Sequence, residues 1–149
     1  VAVNDDGSLV AVDTGTGAIR VWSTRSGDPA APVMSAPGYV TGLAFVNDSD
    51  RLGATISDSE FHLWDIPTGR ALTTDLVTPG LPESLVILRD RQVAFATVAG
   101  GHLVRIDLDP HRAAGSACAA VGRDLRRDEW ETYLEGERYR QTCSGLPGP

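Results

Sequence analysis

The chain has 149 residues, 42% of them hydrophobic, which is enough for one domain with a real core. Its net charge is −7 and all 13 basic residues are arginine. An acidic surface repels phosphate backbones, so the expected partners include no nucleic acid and no anionic membrane, and no apolar run is long enough to span a bilayer as a helix.

In chain order, seven segments rich in β-branched or aromatic residues read as strands: LVAVDT (9–14), AIRVW (18–22), VTGLAF (40–45), FHLW (61–64), SLVIL (84–88), QVAFATV (92–98) and HLVRI (102–106). Turn formers separate them, among them NDDG, GTG, NDSD, PTG and AGG. The nearly continuous SLVIL suits an innermost strand covered on both faces, as does the segment at Val1, whereas the alternating AIRVW and FHLW suit outer, half-exposed positions.

After Leu108 the strand signals stop. Asp109 is placed to cap a helix with Pro110 at its first position, and Ala114, Cys118 and Val121 follow at helical spacing before Gly122, which predicts a helix over 110–121. Asp124 reads as the cap of a second helix, on which Leu125, Trp130, Tyr133 and Leu134 form one apolar stripe before Gly136. The pair is expected to pack on the last blade of the preceding part with Trp130 buried, and the Gly/Pro-rich last six residues to fray. The division is therefore 1–108, built of strands, and 109–149, a two-helix tail.

The strands repeat. Trp22, Trp64 and Ile106 are spaced by 42, and the same step relates Val1, Leu43 and Leu85, then Val3, Phe45 and Ile87, then Ile19, Phe61 and Leu103. A period of this length built from short strands marks propeller blades, one four-stranded sheet per repeat. The expected fold is all-β, a partial β-propeller of about three blades followed by a short helical tail, the third blade lacking its outermost strand.

The segments TGAIRVW (16–22) and SDSEFHLWD (57–65) in this period resemble the WD-repeat β-propellers. In that family an Asp six residues before the Trp joins a Gly-His pair, a Ser or Thr and the Trp in a hydrogen-bonded tetrad. Asp58 matches it, whereas Thr16 and Gly100 stand at the equivalent places, and Gly38-Tyr39 and Pro79-Gly80 lie where Gly-His belongs. The resemblance implies a ring of about seven blades, so that this chain is the C-terminal part of a larger protein with about four blades upstream. An isolated piece of this kind is expected to be unstable or to self-associate through its end blades.

The tail, with AC, GRDL, EWETYL and YRQTC in succession, is similar to the segment that follows WD repeats in large actinomycete signalling proteins, where a STAND-type NTPase, a protease-like domain or a kinase lies upstream. The Arg-only, Ala- and Gly-rich composition agrees with a bacterial source, and a cytoplasmic location is expected. By the family resemblance, the turns between second and third strands and the connections into innermost strands bind protein partners. The candidates so placed are Thr16, Tyr39, Asp58, Glu60, Glu83 and His102.

Residues for chemistry are sparse. No nucleophile motif, phosphate loop or metal-ligand cluster is present, so no cofactor, metal or catalytic residue is assigned. His62, His102 and His111 are isolated, and Asp5-Asp6 and Asp48-Ser49-Asp50 sit where turns are expected, in which Asp bonds its own backbone. Cys118 and Cys143 leave two readings, a disulfide across the second helix or two separate thiols; two Cys alone make a poor zinc site. Two function classes follow. The first is a non-catalytic interaction or sensor scaffold regulating an attached effector domain. The alternative is a propeller enzyme with a metal or small substrate in the central channel, against which the inner strands, reading VAV, LAF and LVI, offer no ligating group.

Overall fold

The computed structural model describes residues 1–47, 50–73, 76–143 and 145–146, which leaves the Asp48-Ser49 part of the second acidic turn and most of the chain end expected to fray outside the described residues. The chain divides into two compact units, Val1–Ile106 and Asp107–Pro149.

The first unit is three antiparallel meanders in succession. One sheet joins β1 (Ala2–Val3), β2 (Leu9–Asp13), β3 (Ala18–Ser23) and β4 (Met34–Ser35) in that order. The next repeats it with β5 (Val40–Asn47), β6 (Arg51–Ile56), β7 (Glu60–Asp65) and β8 (Leu76–Val77). The last has three strands, β9 (Pro82–Leu88), β10 (Val93–Val98) and β11 (His102–Asp107). With the helical tail this is a partial β-propeller of three blades, mostly β, as the repeat predicts. Among the described residues no helix is long and apolar enough to cross a membrane.

The repeat also fixes which face each side chain takes. In the second blade Leu52 pairs with Trp64 and Ala54 with His62, so these point to one face; Gly53 pairs with Leu63 and Thr55 with Phe61, which point to the other. The first set meets Ala11, Ile19, Val21 and Met34 in a closed core. The second set faces the third blade: a Cβ built on Gly53 would stand 3.3 Å from Ile87 Cδ1, and one on Gly42 would stand 3.0 Å from Leu85 Cβ. Glycine is needed at Gly42 and Gly53 because a side chain there would meet both its own sheet, at Thr55 Oγ1 (2.8 Å) and Phe61 Cζ (3.1 Å), and the next one.

Two burial expectations are corrected. FHLW is not half-exposed: Phe61, His62, Leu63 and Trp64 are all buried, because β7 belongs to the middle blade and has a sheet on each side. SLVIL is not covered on both faces: Leu85 and Ile87 are half-buried toward the second blade while Val86 and Leu88 are exposed. Alternation along a strand reports its own two faces, and only the count of neighbouring sheets says whether both are dry.

In the second unit, α1 (Pro110–Val121) starts and ends at the predicted residues. The Asp109 carboxylate accepts from the N–H groups of His111 and Arg112, and Gly122, at φ +71°, donates its N–H to the Cys118 carbonyl. The second helix, α2 (Arg127–Tyr133), is shorter than expected and Asp124 does not cap it. Glu129 does part of that work, accepting from the Arg126 N–H at 2.9 Å. The proposed stripe also breaks up, for Trp130 is buried while Tyr133 and Leu134 are exposed. Ala114, Cys118 and Val121 line an apolar cleft of about 350 Å³ that Cys143 and Leu125 complete.

Candidate functional site

Antiparallel meandering puts every turn between second and third strands, and every connection into a first strand, on one edge of the blades. Five segments meet there: 14–18, 36–39, 57–60, 78–83 and 99–102. Backbone hydrogen bonds stitch them in sequence. Ala36 N–H donates to Gly17 O at 2.8 Å, Ser57 N–H to Tyr39 O at 2.8 Å, Thr78 N–H to Ser59 O at 2.6 Å and Ala99 N–H to Leu81 O at 2.8 Å. The edge is therefore one continuous backbone network.

Its first link depends on a glycine. Gly17 has φ +80°, and a Cβ there would fall 2.8 Å from the Ala36 carbonyl oxygen. Any side chain would be strained in conformation and would displace the connection that carries Tyr39.

All six candidate residues lie along this edge. Thr16 is exposed in the first turn, its hydroxyl 3.0 Å from that of Thr14, which also donates to the Ala18 carbonyl. Tyr39 leaves its ring in solvent while its N–H donates to Ser57 Oγ at 3.2 Å. Asp58 is exposed beside Gly38, where an added Cβ would meet its Oδ2 at 3.1 Å. Glu60 is half-buried, 2.7 Å from His62 Nε2, and the His62 ring stacks on Trp64 with centroids 5.5 Å apart. Glu83 is exposed near the start of β9, and His102 opens β11 beside Gly100. Thr16, Tyr39 and Asp58 are thus linked through the first two turns and the connection between them, whereas Glu83 and His102 stand at the third-blade end.

Arginine is confined to one edge, while carboxylates stand on both. The five segments contain the carboxylates of Asp58, Glu60 and Glu83 and no arginine. The opposite edge carries Arg25, Arg51, Arg70, Arg89 and Arg91, interleaved with Asp5, Asp6, Asp28, Asp50 and Asp90. There Arg89 pairs with Asp5 and donates from Nε to the Phe45 carbonyl, so its side chain ties all three blades together. Sequence reading missed this division because it appears only once turns are assigned to edges.

The tail has a separate centre. Cys118 and Cys143 form a disulfide with Cα atoms 5.5 Å apart. Next to it the Asp124 carboxylate is buried and accepts from Leu125 N–H at 2.9 Å, Thr142 N–H at 3.0 Å and Cys143 N–H at 3.3 Å, as well as from the Thr142 hydroxyl. The Thr142 hydroxyl and these N–H groups hold it below the ordinary carboxylate range against the opposing effect of burial. Trp130 Nε1 donates to the Glu137 carbonyl and its ring meets Tyr139 edge-on at 5.3 Å. Arg123 clasps Glu129 with two bonds of 2.7 Å, pulling that carboxyl down to about 2.

No protein-family model and no curated protein matches the chain. Among solved structures it is similar to the computationally designed Ika4 protein (18% identity, TM-score 0.59, 68% of this chain) and to the computationally designed Ika8 protein (17%, 0.60, 69%). It is also similar to a chain of the mitotic checkpoint complex, at 16% identity and a TM-score of 0.61 over 72% of this chain. It spans 61%, 31% and 36% of those three chains, and at such identities the likeness is one of fold.

Proposed function

We propose that the chain is a non-catalytic protein-interaction scaffold whose binding surface is the arginine-free turn edge from Thr16 to His102. One observation carries this reading: five turn segments from three blades are joined by backbone hydrogen bonds into a single continuous edge that presents an exposed tyrosine and the carboxylates of Asp58 and Glu83, with Glu60 half-buried against His62. Display of an aromatic anchor on a hydrogen-bonded edge with a charged surround favours protein recognition. The fitting partner presents basic side chains around a pocket for Tyr39. In this reading the tail belongs to a larger WD-repeat signalling protein, with a STAND-type NTPase, a protease-like domain or a kinase upstream, and the scaffold senses a partner and regulates that effector domain.

The test is a binding selection with a peptide library spanning basic and acidic sequences. Basic ligands should be retained, and Asp58→Arg with Glu83→Arg should weaken them about tenfold, or 1.4 kcal/mol. Tyr39→Ala should weaken them further, and Arg70→Glu on the opposite edge should leave them unchanged. Selected ligands that ignore all three edge substitutions would remove the edge from consideration.

A further inference from the structure

The two ends of the Cys118–Cys143 bridge are unequal. Of the residues three and four positions from Cys118, which share its face of α1, Ala114, Gly115 and Gly122 offer at most a methyl group and Val121 is itself exposed. Cys118 is therefore partly exposed, on a helix with no buried residue. Two clefts run along it. One is the apolar cleft of about 350 Å³ that Cys143 and Leu125 complete; the other, of about 480 Å³, lies between His111, Gly115 and Leu146 and reaches Cys118 but not Cys143. Ala114 lines both.

Cys143 is enclosed and fastened. It is 8% exposed, its N–H donates to the Asp124 carboxylate at 3.3 Å, and its carbonyl accepts from the Gln141 side chain at 3.2 Å and from the Leu146 N–H at 3.3 Å. A disulfide is opened when a thiolate attacks one of its sulfurs, and the rate follows access to that sulfur.

We infer that Cys118 Sγ is a modification site that accepts a small uncharged aliphatic thiol, with Cys143 as the leaving group. An aliphatic body suits the walls at Ala114, Ala117 and Val121, and the Asp124 carboxylate on the same cleft repels an anionic one. The incoming sulfur bonds to Cys118 Sγ as the bond between the two cysteine sulfurs breaks; the electron pair goes to Cys143 Sγ, which takes a proton from water. The incoming thiol is oxidised and Cys143 is reduced, so no further oxidant or reductant is needed. Because Cys143 is held at its N–H and its carbonyl, its thiolate is placed to return to Cys118 Sγ, expel the small thiol and re-form the bridge. Cys118 receives the modification and Cys143 reverses it.

The test is to incubate the 149-residue chain with β-mercaptoethanol, quench with acid and N-ethylmaleimide, and weigh the tryptic peptides. The chain has no lysine, so trypsin cuts only after arginine and separates Cys118, in 113–123, from Cys143, in 141–149. The adduct should sit on 113–123 in about tenfold excess over 141–149, and be shared equally once guanidinium has unfolded the chain. Ala114→Leu, which narrows both clefts, should slow the reaction about tenfold while amide exchange in the tail stays unchanged. Where the bridge opens too fast for an adduct to be captured, single-cysteine variants decide: Cys143→Ala should take the adduct from the symmetrical disulfide of β-mercaptoethanol about tenfold faster than Cys118→Ala does. An adduct shared equally in the folded chain or carried by Cys143, a rate indifferent to Ala114→Leu, or single-cysteine variants of equal rate overturns the inference.

Discussion

In the blades, Ile19, Leu52, Ile56, Phe61 and Trp64 are shut away from water by neighbours of their own kind, at positions set by a 42-residue period. In the tail the buried residues, among those described, are Leu108, Asp124, Trp130 and Cys143, with no period among them. There a disulfide and a many-bonded carboxylate supply what apolar area does not, as short segments with little core require. One region is organised by repetition and the other by a few contacts between residues far apart in sequence.

The largest effect should come from opening the blade core. Phe61→Ala removes a fully buried ring between the second and third blades and should cost about 3 to 5 kcal/mol, read as a lower urea midpoint. Hydrogen exchange of the Leu125, Thr142 and Cys143 amides should change far less than that of the blade strands; equal change would show that the units unfold together.

Second comes the bridge. Cys118 and Cys143 are 25 residues apart, and on the loop-entropy model closing such a loop stabilises by about 3.5 kcal/mol. Reduction, or Cys143→Ser, should speed exchange throughout the tail while protection in β5 to β7 persists. Blades that lose protection on reduction would contradict the contrast drawn above.

How much of this is legible in sequence follows the same division. Blade number, strand order and the limits of α1 can be read because each signal is local or periodic: Asp109, Pro110 and Gly122 lie at the helix they delimit. Asp124 misleads because its spacing to the next helix resembles a cap, while its partners Thr142 and Cys143 come 18 and 19 residues later. Tyr139, outside both helices, takes the place against Trp130 that helical spacing assigned to Tyr133. The candidate edge was legible in part. Repeat position locates its residues, but its absence of arginine and its hydrogen-bonded links required the turns to be sorted by edge.

Asp124→Asn should have a smaller effect than reduction. It keeps the shape but removes the charge that five donors address, so the Leu125, Thr142 and Cys143 amides should exchange faster with the disulfide intact. Unchanged exchange would make the carboxylate incidental to the tail.

The smallest effect is a pH dependence. Glu129 is held at about 2 in the fold against 4.5 for the free side chain, chiefly by Arg123 and then by the Arg126 N–H. Its stabilisation of the start of α2 is present above pH 4.5 and declines as pH falls toward about 2, where the folded carboxyl takes up its proton. Acid titration followed by Trp130 fluorescence should show this step, and Glu129→Gln should abolish it. A step that survives the substitution must belong to another carboxylate.

The bridge between Cys118 and Cys143 also determines how the polypeptide carries tension. A pull transmitted along the backbone from beyond Cys143 passes through the sulfurs to α1 and bypasses α2, Trp130 and the Asp124 network. The 25 residues of the loop then withhold about 85 Å of contour at roughly 3.4 Å per residue. A thiol reductant releases that length, so the same segment is a short tether when oxidised and a long one when reduced.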